Sequence, residues 1–175
     1  MSVNKAKIRS LSHPFPLLYD ENSTVLILGS FPSVKAVADG YYYANPNNRF
    51  YKMMSVIFET DFVSIPWEKK KELLLQHHLA LHDSIGYCQI LGSSDAKISD
   101  VKPSNLHEIF SKARIKKVIC NGAKAYHEYI RFFSDIDIPV VQAPSTSPAN
   151  AKMQLDDLVS AWKAVLHDVL SSINT

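Results

Sequence analysis

Three short stretches of this chain gather residue types suited to gripping a flat, hydrogen-bonding ligand. Residues 29–35 read GSFPSVK. Gly29 gives the backbone freedom and Pro32 fixes a turn, so amides such as those of Ser30 and Phe31 can face an anion or the edge of a heterocycle. Many α/β proteins carry a small-residue loop after their first strand, so by itself this loop reads equally well as a plain turn. Residues 41–51, YYYANPNNRFY, hold five aromatics, three asparagines and one arginine in eleven positions. Tyrosine rings can stack on a base and asparagine amides can bond its polar edge, which is what a base drawn out of its helix requires. The alternative is an aromatic turn packed over a sheet. Residues 143–150, APSTSPAN, are stiffened by two prolines; their hydroxyls and amides suit phosphates, or simply form a surface loop leading into the last helix.

Other reactive types offer less. His77, His78, His82 and Asp83 are metal-ligand types, but His78 and His82 share a face only if residues 76–82 are helical, and the apolar run at 79–81 reads as a strand. Packing or surface roles follow, and no metal is expected. Cys88 and Cys120 are the only cysteines, too few for a disulfide framework or a four-cysteine cluster. No lysine stands in a motif of its own that marks a Schiff-base nucleophile. Ser93, Ser94 and Asp95 form a polar loop that could approach a site, although Asp95 reads better as a helix cap.

The elements that must position these loops are legible from periodicity. Residues 24–28 (TVLIL) form a continuous apolar, β-branched run, the pattern of a strand buried on both faces. Residues 117–120 and 138–142 repeat the pattern before turn residues, and 79–81 supply a fourth strand. Helices are expected over 48–58, 67–76, 104–112, 123–133 and 154–173. Alternating strands and helices predict an α/β protein: a three-layer α/β/α sandwich around a central, mostly parallel four-stranded sheet. Ligands of such sheets bind at the carboxyl ends of strands, where loops 29–35, 121–124 and 143–150 should meet.

The 175 residues, 46% hydrophobic, suffice for one core, so residues 1–175 are expected to form a single domain. A formal charge of +2 permits nucleic-acid contact without demanding it. Residues 1–10 are polar and basic, and no apolar run approaches the ~20 residues that span a bilayer. A cytoplasmic protein with no membrane partner is the expectation.

Together the three stretches resemble the uracil-DNA glycosylase superfamily and, within it, the hypoxanthine-DNA glycosylase group, with mismatch-specific uracil glycosylases as near relatives. The resemblance runs from Thr24 to about Lys152. Gly29, Pro32 and Ser33 match the first family motif, and Tyr43, Ala44, Pro46, Asn48, Arg49, Phe50 and Tyr51 match an A-H-P-x-N-R-F-W-like run. Pro144, Ser145 and Ser147 match a P-S-x-S-like loop. Asn45 stands where relatives often have histidine and Tyr51 where they have tryptophan. In mismatch-specific relatives the first loop carries a water-positioning asparagine; here that place is Phe31, which cannot bind water.

The resemblance implies a monofunctional glycosylase without cofactor, acting on double- or single-stranded DNA that contains a deaminated base, as a monomer. It assigns the catalytic role to Asn48 and base contacts to Ser30, Phe31, Tyr43 and Asn121. Ser33, Lys35, Arg49, Ser145, Ser147, Asn150 and Lys152 are the expected DNA contacts, Arg49 alternatively anchoring its own helix. Hypoxanthine is the expected base, because Phe31 argues against an ordinary uracil enzyme. Uracil excision, a catalytically silent DNA or nucleotide binder and a flavodoxin-like small-molecule binder are the competing readings.

Overall fold

The computed structural model describes residues 7–91 and 98–173. The loop with Ser93, Ser94 and Asp95 lies outside the described residues. The central sheet has strand order β3-β2-β6-β7, formed by β2 (Val25–Gly29), β3 (Leu79–Asp83), β6 (Lys117–Asn121) and β7 (Val140–Ala143). All its pairings are parallel, with Gly29 opposite Asp83, Leu28 opposite Cys120 and Asn121 opposite Ala143.

β2 is one of the two inner strands, beside β6, and each of its residues is buried. Because side chains alternate across a strand, Val25 and Ile27 join one core with Leu79, Leu81 and Ile119, while Leu26 and Leu28 join the other with Ala80, Val118 and Cys120. Each fully buried aliphatic side chain contributes about 1.5–3 kcal/mol relative to exposure. The first face is covered by α2 (Phe50–Phe58), α3 (Trp67–Gln76) and α6 (Leu155–Val165), the second by α4 (Leu106–Lys112) and α5 (Ala123–Phe132). The short α1 (Val34–Asp39) follows β2, and α7 (His167–Ile173) ends the chain's described part.

The expected single helix over 154–173 is divided at Leu166, where α6 stops and α7 begins. Lys117 Nζ donates to the Val165 carbonyl at 2.6 Å, serving a carbonyl at the end of α6. A second sheet, absent from the sequence expectation, has the antiparallel order β1-β4-β5, from Ile8–Ser12, Ile85–Leu91 and Ile98–Pro103. Only Ser84 separates β3 from β4. Its buried hydroxyl donates to the Ala125 carbonyl and its N–H to the Gly29 carbonyl, fixing the point at which the chain leaves one sheet for the other.

Candidate active site

The carboxyl ends of β2, β3, β6 and β7 open into a cavity of about 440 Å³, within the span of small-molecule sites of roughly 300–1,000 Å³. The three expected loops meet there: residues 29–34, Asn121 with Lys124, and residues 145–148 all line it, as do Tyr42, Tyr43, Asn45 and Asn48. The second sheet supplies another wall through Arg9, Leu11, Ile90 and Ile98.

Asn48 precedes α2 and is locked from two sides. Its Oδ1 accepts the Phe50 N–H at 3.0 Å and the Thr146 hydroxyl at 2.8 Å. Since a backbone N–H can only donate, Oδ1 is fixed as the oxygen, and the NH2 group has no partner among the described residues. Thr146, wholly buried, also accepts from Asn121 Nδ2 at 3.0 Å, while its N–H donates to Asn121 Oδ1 at 3.0 Å. The relay Asn121, Thr146, Asn48 thus joins the ends of three segments far apart in sequence.

Tyr43 adopts φ 57°, the left-handed region that side chains rarely enter, at a cost on the order of 1–3 kcal/mol. One face of its ring stacks on Phe50, centroids 4.2 Å apart. Its buried hydroxyl makes no well-aligned hydrogen bond among the described residues, although the Asn121 side chain lies close enough to act on it. Burial foremost, then the Asp83 charge, raises its pKa far above the ordinary tyrosine value, so it remains a neutral O–H. The other aromatics of residues 41–51 mostly build the core. Tyr41 stacks on Trp67, Tyr51 donates to the Tyr42 carbonyl at 2.6 Å, and Phe50 is wholly buried. The expected aromatic wall is therefore reduced to Tyr43, with Tyr42 beside it.

In the first loop the Gly29 and Ser30 carbonyls accept from Ser84 and Ile85 N–H, which fixes the loop's path. Phe31 lines the cavity while packing among Leu11, Ile85, Cys88 and Ile90, and so ties the loop to the second sheet. Ser33 caps α1 by accepting the Ala36 N–H at 3.1 Å. Lys35 is exposed and paired with Asp39, off the cavity wall.

Arg49 is committed within the fold. Its guanidinium donates to the carbonyls of Ser147 (2.8 Å), Asn150 (2.9 Å), Thr146 (3.4 Å) and Met153. That employs four of its five N–H bonds and makes it the strap of the 146–153 loop, so any phosphate would have to compete with those carbonyls. Ser145 Oγ accepts the Ser147 N–H, Ser147 Oγ the Ala149 N–H, and Asn150 Nδ2 donates to the Ser145 carbonyl. Lys152 is exposed and away from the cavity, whereas Lys124, at the start of α5, lines it.

Asp83 was weighed in the sequence only as one of a loose histidine cluster, yet it lines the cavity at the end of β3. His13 Nε2 lies 2.7 Å from its Oδ2. His82 points elsewhere, with Nδ1 2.6 Å from the Tyr42 hydroxyl, and burial with the nearby His13 lowers its pKa to about 3. His78 faces the Asn22 carbonyl and His77 stacks on Phe58. Among the described residues no three histidine, cysteine, aspartate or glutamate side chains converge as a metal set, and no helix is long and apolar enough to cross a membrane.

The family model of the uracil DNA glycosylase superfamily matches residues 16–166, a span that contains every one of the cavity loops described above. The chain belongs to that superfamily. Among superfamily relatives, a hypoxanthine DNA glycosylase from Methanosarcina acetivorans is 34% identical over 155 residues, covering 86% of this chain and 95% of the relative. Another, from Methanosarcina barkeri, is 31% identical over 112 residues, covering 63% of this chain and 71% of the relative. The solution NMR structure of a candidate uracil DNA glycosylase from Methanosarcina acetivorans aligns with TM-score 0.79 at 28% identity, covering 93% of this chain and 99% of that one. The superfamily's α/β fold is thus the fold of this chain.

Proposed function

We propose that this chain is a monofunctional DNA glycosylase that hydrolyses the N-glycosidic bond of a flipped, deaminated base, hypoxanthine foremost. The observation that carries this reading is the locked Asn48, whose amide NH2 alone is left for a ligand in a cavity that Tyr43 lines. Cleavage breaks the C1′–N bond, its electron pair leaving with the base, while water adds to C1′ and the proton it loses ends on the departed base, giving a C1′ hydroxyl and the neutral base. Negative charge grows on the base and positive charge on the sugar. An NH2 donor held in place before the reaction can stabilise the oxygen of the departing base. It can also hold the water by its oxygen, but it cannot take the water's proton. Tyr43 offers its ring face to the base, and Ser30, Phe31 and Asn121 offer edge contacts.

Hypoxanthine is supported by the naming of both curated relatives and by Phe31, whose ring occupies the place of a water-binding side chain. Uracil remains the second reading, because the solved relative is described as a uracil enzyme and the two bases share a carbonyl beside an N–H. DNA would lie across the mouth, near Lys124, Arg9, Ser33, Ser145, Ser147 and Asn150, with Lys35 and Lys152 further out. The protein acts as a cytoplasmic monomer on duplex or single-stranded DNA. Incubation with duplexes carrying one deoxyinosine or one deoxyuridine, followed by alkaline cleavage at abasic sites, tests the reading; absence of abasic product from both would remove it.

A further inference from the structure

Among the described residues Asp83 contributes the only carboxylate to the cavity wall. Its side chain is 6% exposed, and that of its partner His13 is 5% exposed. His13 Nδ1 lies between the Phe15 carbonyl (3.0 Å) and the Phe15 N–H (3.2 Å), while Nε2 faces Asp83 Oδ2 at 2.7 Å; because a carboxylate only accepts, the hydrogen of that contact sits on Nε2. Oδ1 has no hydrogen-bond partner among the described residues. It lies against the bare α-carbon of Gly29: a Cβ there would fall 2.3 Å from Oδ1 and 3.3 Å from the Tyr43 hydroxyl. Glycine at this position lets the free carboxylate oxygen and the buried Tyr43 O–H come close together at the base of the cavity.

We infer that Asp83, aimed by His13, reads the N–H that deamination creates on the base, and so separates hypoxanthine from adenine. This rests on the glycosylase reading above. A flipped nucleotide enters base first while its sugar stays tethered to the strand, so a group on the floor meets the edge of the base remote from the glycosidic bond. A carboxylate only accepts hydrogen bonds. Hypoxanthine presents a carbonyl beside an N1–H: the N–H meets Oδ1, and a donor such as the Asn48 or Asn121 amide meets the carbonyl. Adenine in the same pose turns the N1 lone pair towards the carboxylate and an amino group towards the donors, two mismatches in a desolvated site. Uracil and cytosine differ in the same sense. Asp83 is thus a specificity residue, and His13 a positioning residue that acts through it.

The test compares wild type with Asp83→Asn in single-turnover excision of deoxyinosine and of the unsubstituted purine nucleoside, which has an N1 lone pair and no 6-oxygen. In the variant the His13 N–H retains the amide oxygen, leaving NH2 to face N1. The inosine-to-purine rate ratio should fall at least about tenfold, and His13→Ala should move it in the same direction. Equal loss on both substrates would overturn the assignment. A measurement on the wild type alone guards against a misfolded variant: titration with free bases, read by thermal shift, should rank hypoxanthine at least about tenfold tighter than purine or adenine. Equal affinity for the three would also overturn it. If wild type excised nothing, the glycosylase reading would fall, while the free-base ranking would still decide the role of Asp83.

Discussion

The Thr146 hydroxyl donates to Asn48 Oδ1 at 2.8 Å while accepting from Asn121 Nδ2 at 3.0 Å, so one buried hydroxyl links the two pocket asparagines that the Phe50 and Thr146 N–H groups orient. Thr146→Val keeps the shape and removes both bonds. It should cost about 1–3 kcal/mol of stability, since two amide groups lose a partner, and should lower single-turnover excision at least about tenfold. Thr146→Ser should recover most of the rate. Urea unfolding and single-turnover kinetics on the three proteins check this; an unchanged rate in the valine variant would show that Asn48 does not need its lock.

Arg49 should behave as a strap and not as a phosphate contact. Arg49→Lys cannot reproduce a planar fork that serves four carbonyls, so it should lose about 2–4 kcal/mol of stability while the dependence of DNA affinity on log salt keeps its slope. Lys124→Ala should do the reverse, keeping stability and reducing the slope by about 1. Binding isotherms across a salt series, with thermal melts beside them, separate the two behaviours.

Gly29→Ala would place a methyl group 2.3 Å from Asp83 Oδ1, a distance that forces the carboxylate away from the floor. Excision should drop by at least about tenfold with at most about 3 kcal/mol lost in stability. Kinetics with a denaturation curve check it, and full activity in the alanine variant would mean that the floor is not used.

The neutral His82 sets a pH dependence. Its folded pKa is lowered to about 3 by burial, with His13 adding to the effect, so between about pH 6.5 and 3 the unfolded chain binds the extra proton. Stability from this residue is intact above about pH 6.5 and is lost as pH falls, by up to about 1.4 kcal/mol per unit. Urea midpoints at pH 7, 5.5 and 4.5 should decline more steeply for wild type than for His82→Gln. Equal slopes would contradict the neutral, buried state.

The parallel sheet was legible because its strands are continuous apolar runs ended by turn residues, and the rule that ligands sit at strand carboxyl ends brought the three loops to one mouth. The second sheet was not legible. β1 is almost wholly exposed, β5 ends in a proline, and the burial of β4 comes from a small local cluster. Asp83 was missed because the strand was read as ending at Leu81, two residues short, which hid that a carboxylate stands at a strand's carboxyl end. Arg49 shows the opposite limit: residue type announces a phosphate contact, but only geometry reveals that its N–H bonds serve the loop. Most of residues 41–51 likewise looked like a ligand wall and instead supply core, leaving Tyr43, Asn45 and Asn48 with Tyr42 at the cavity.

The central claim is that Asn48, locked by Thr146, performs base excision in this cavity. Its most direct measurement is the single-turnover rate of abasic-site formation on a deoxyinosine duplex for wild type and Asn48→Ala, with folding of both verified by thermal melting. Wild type should produce abasic sites, and the folded variant should be slower by at least about 100-fold, as for loss of a pre-positioned donor to a developing anion. Undiminished excision by Asn48→Ala would contradict the account.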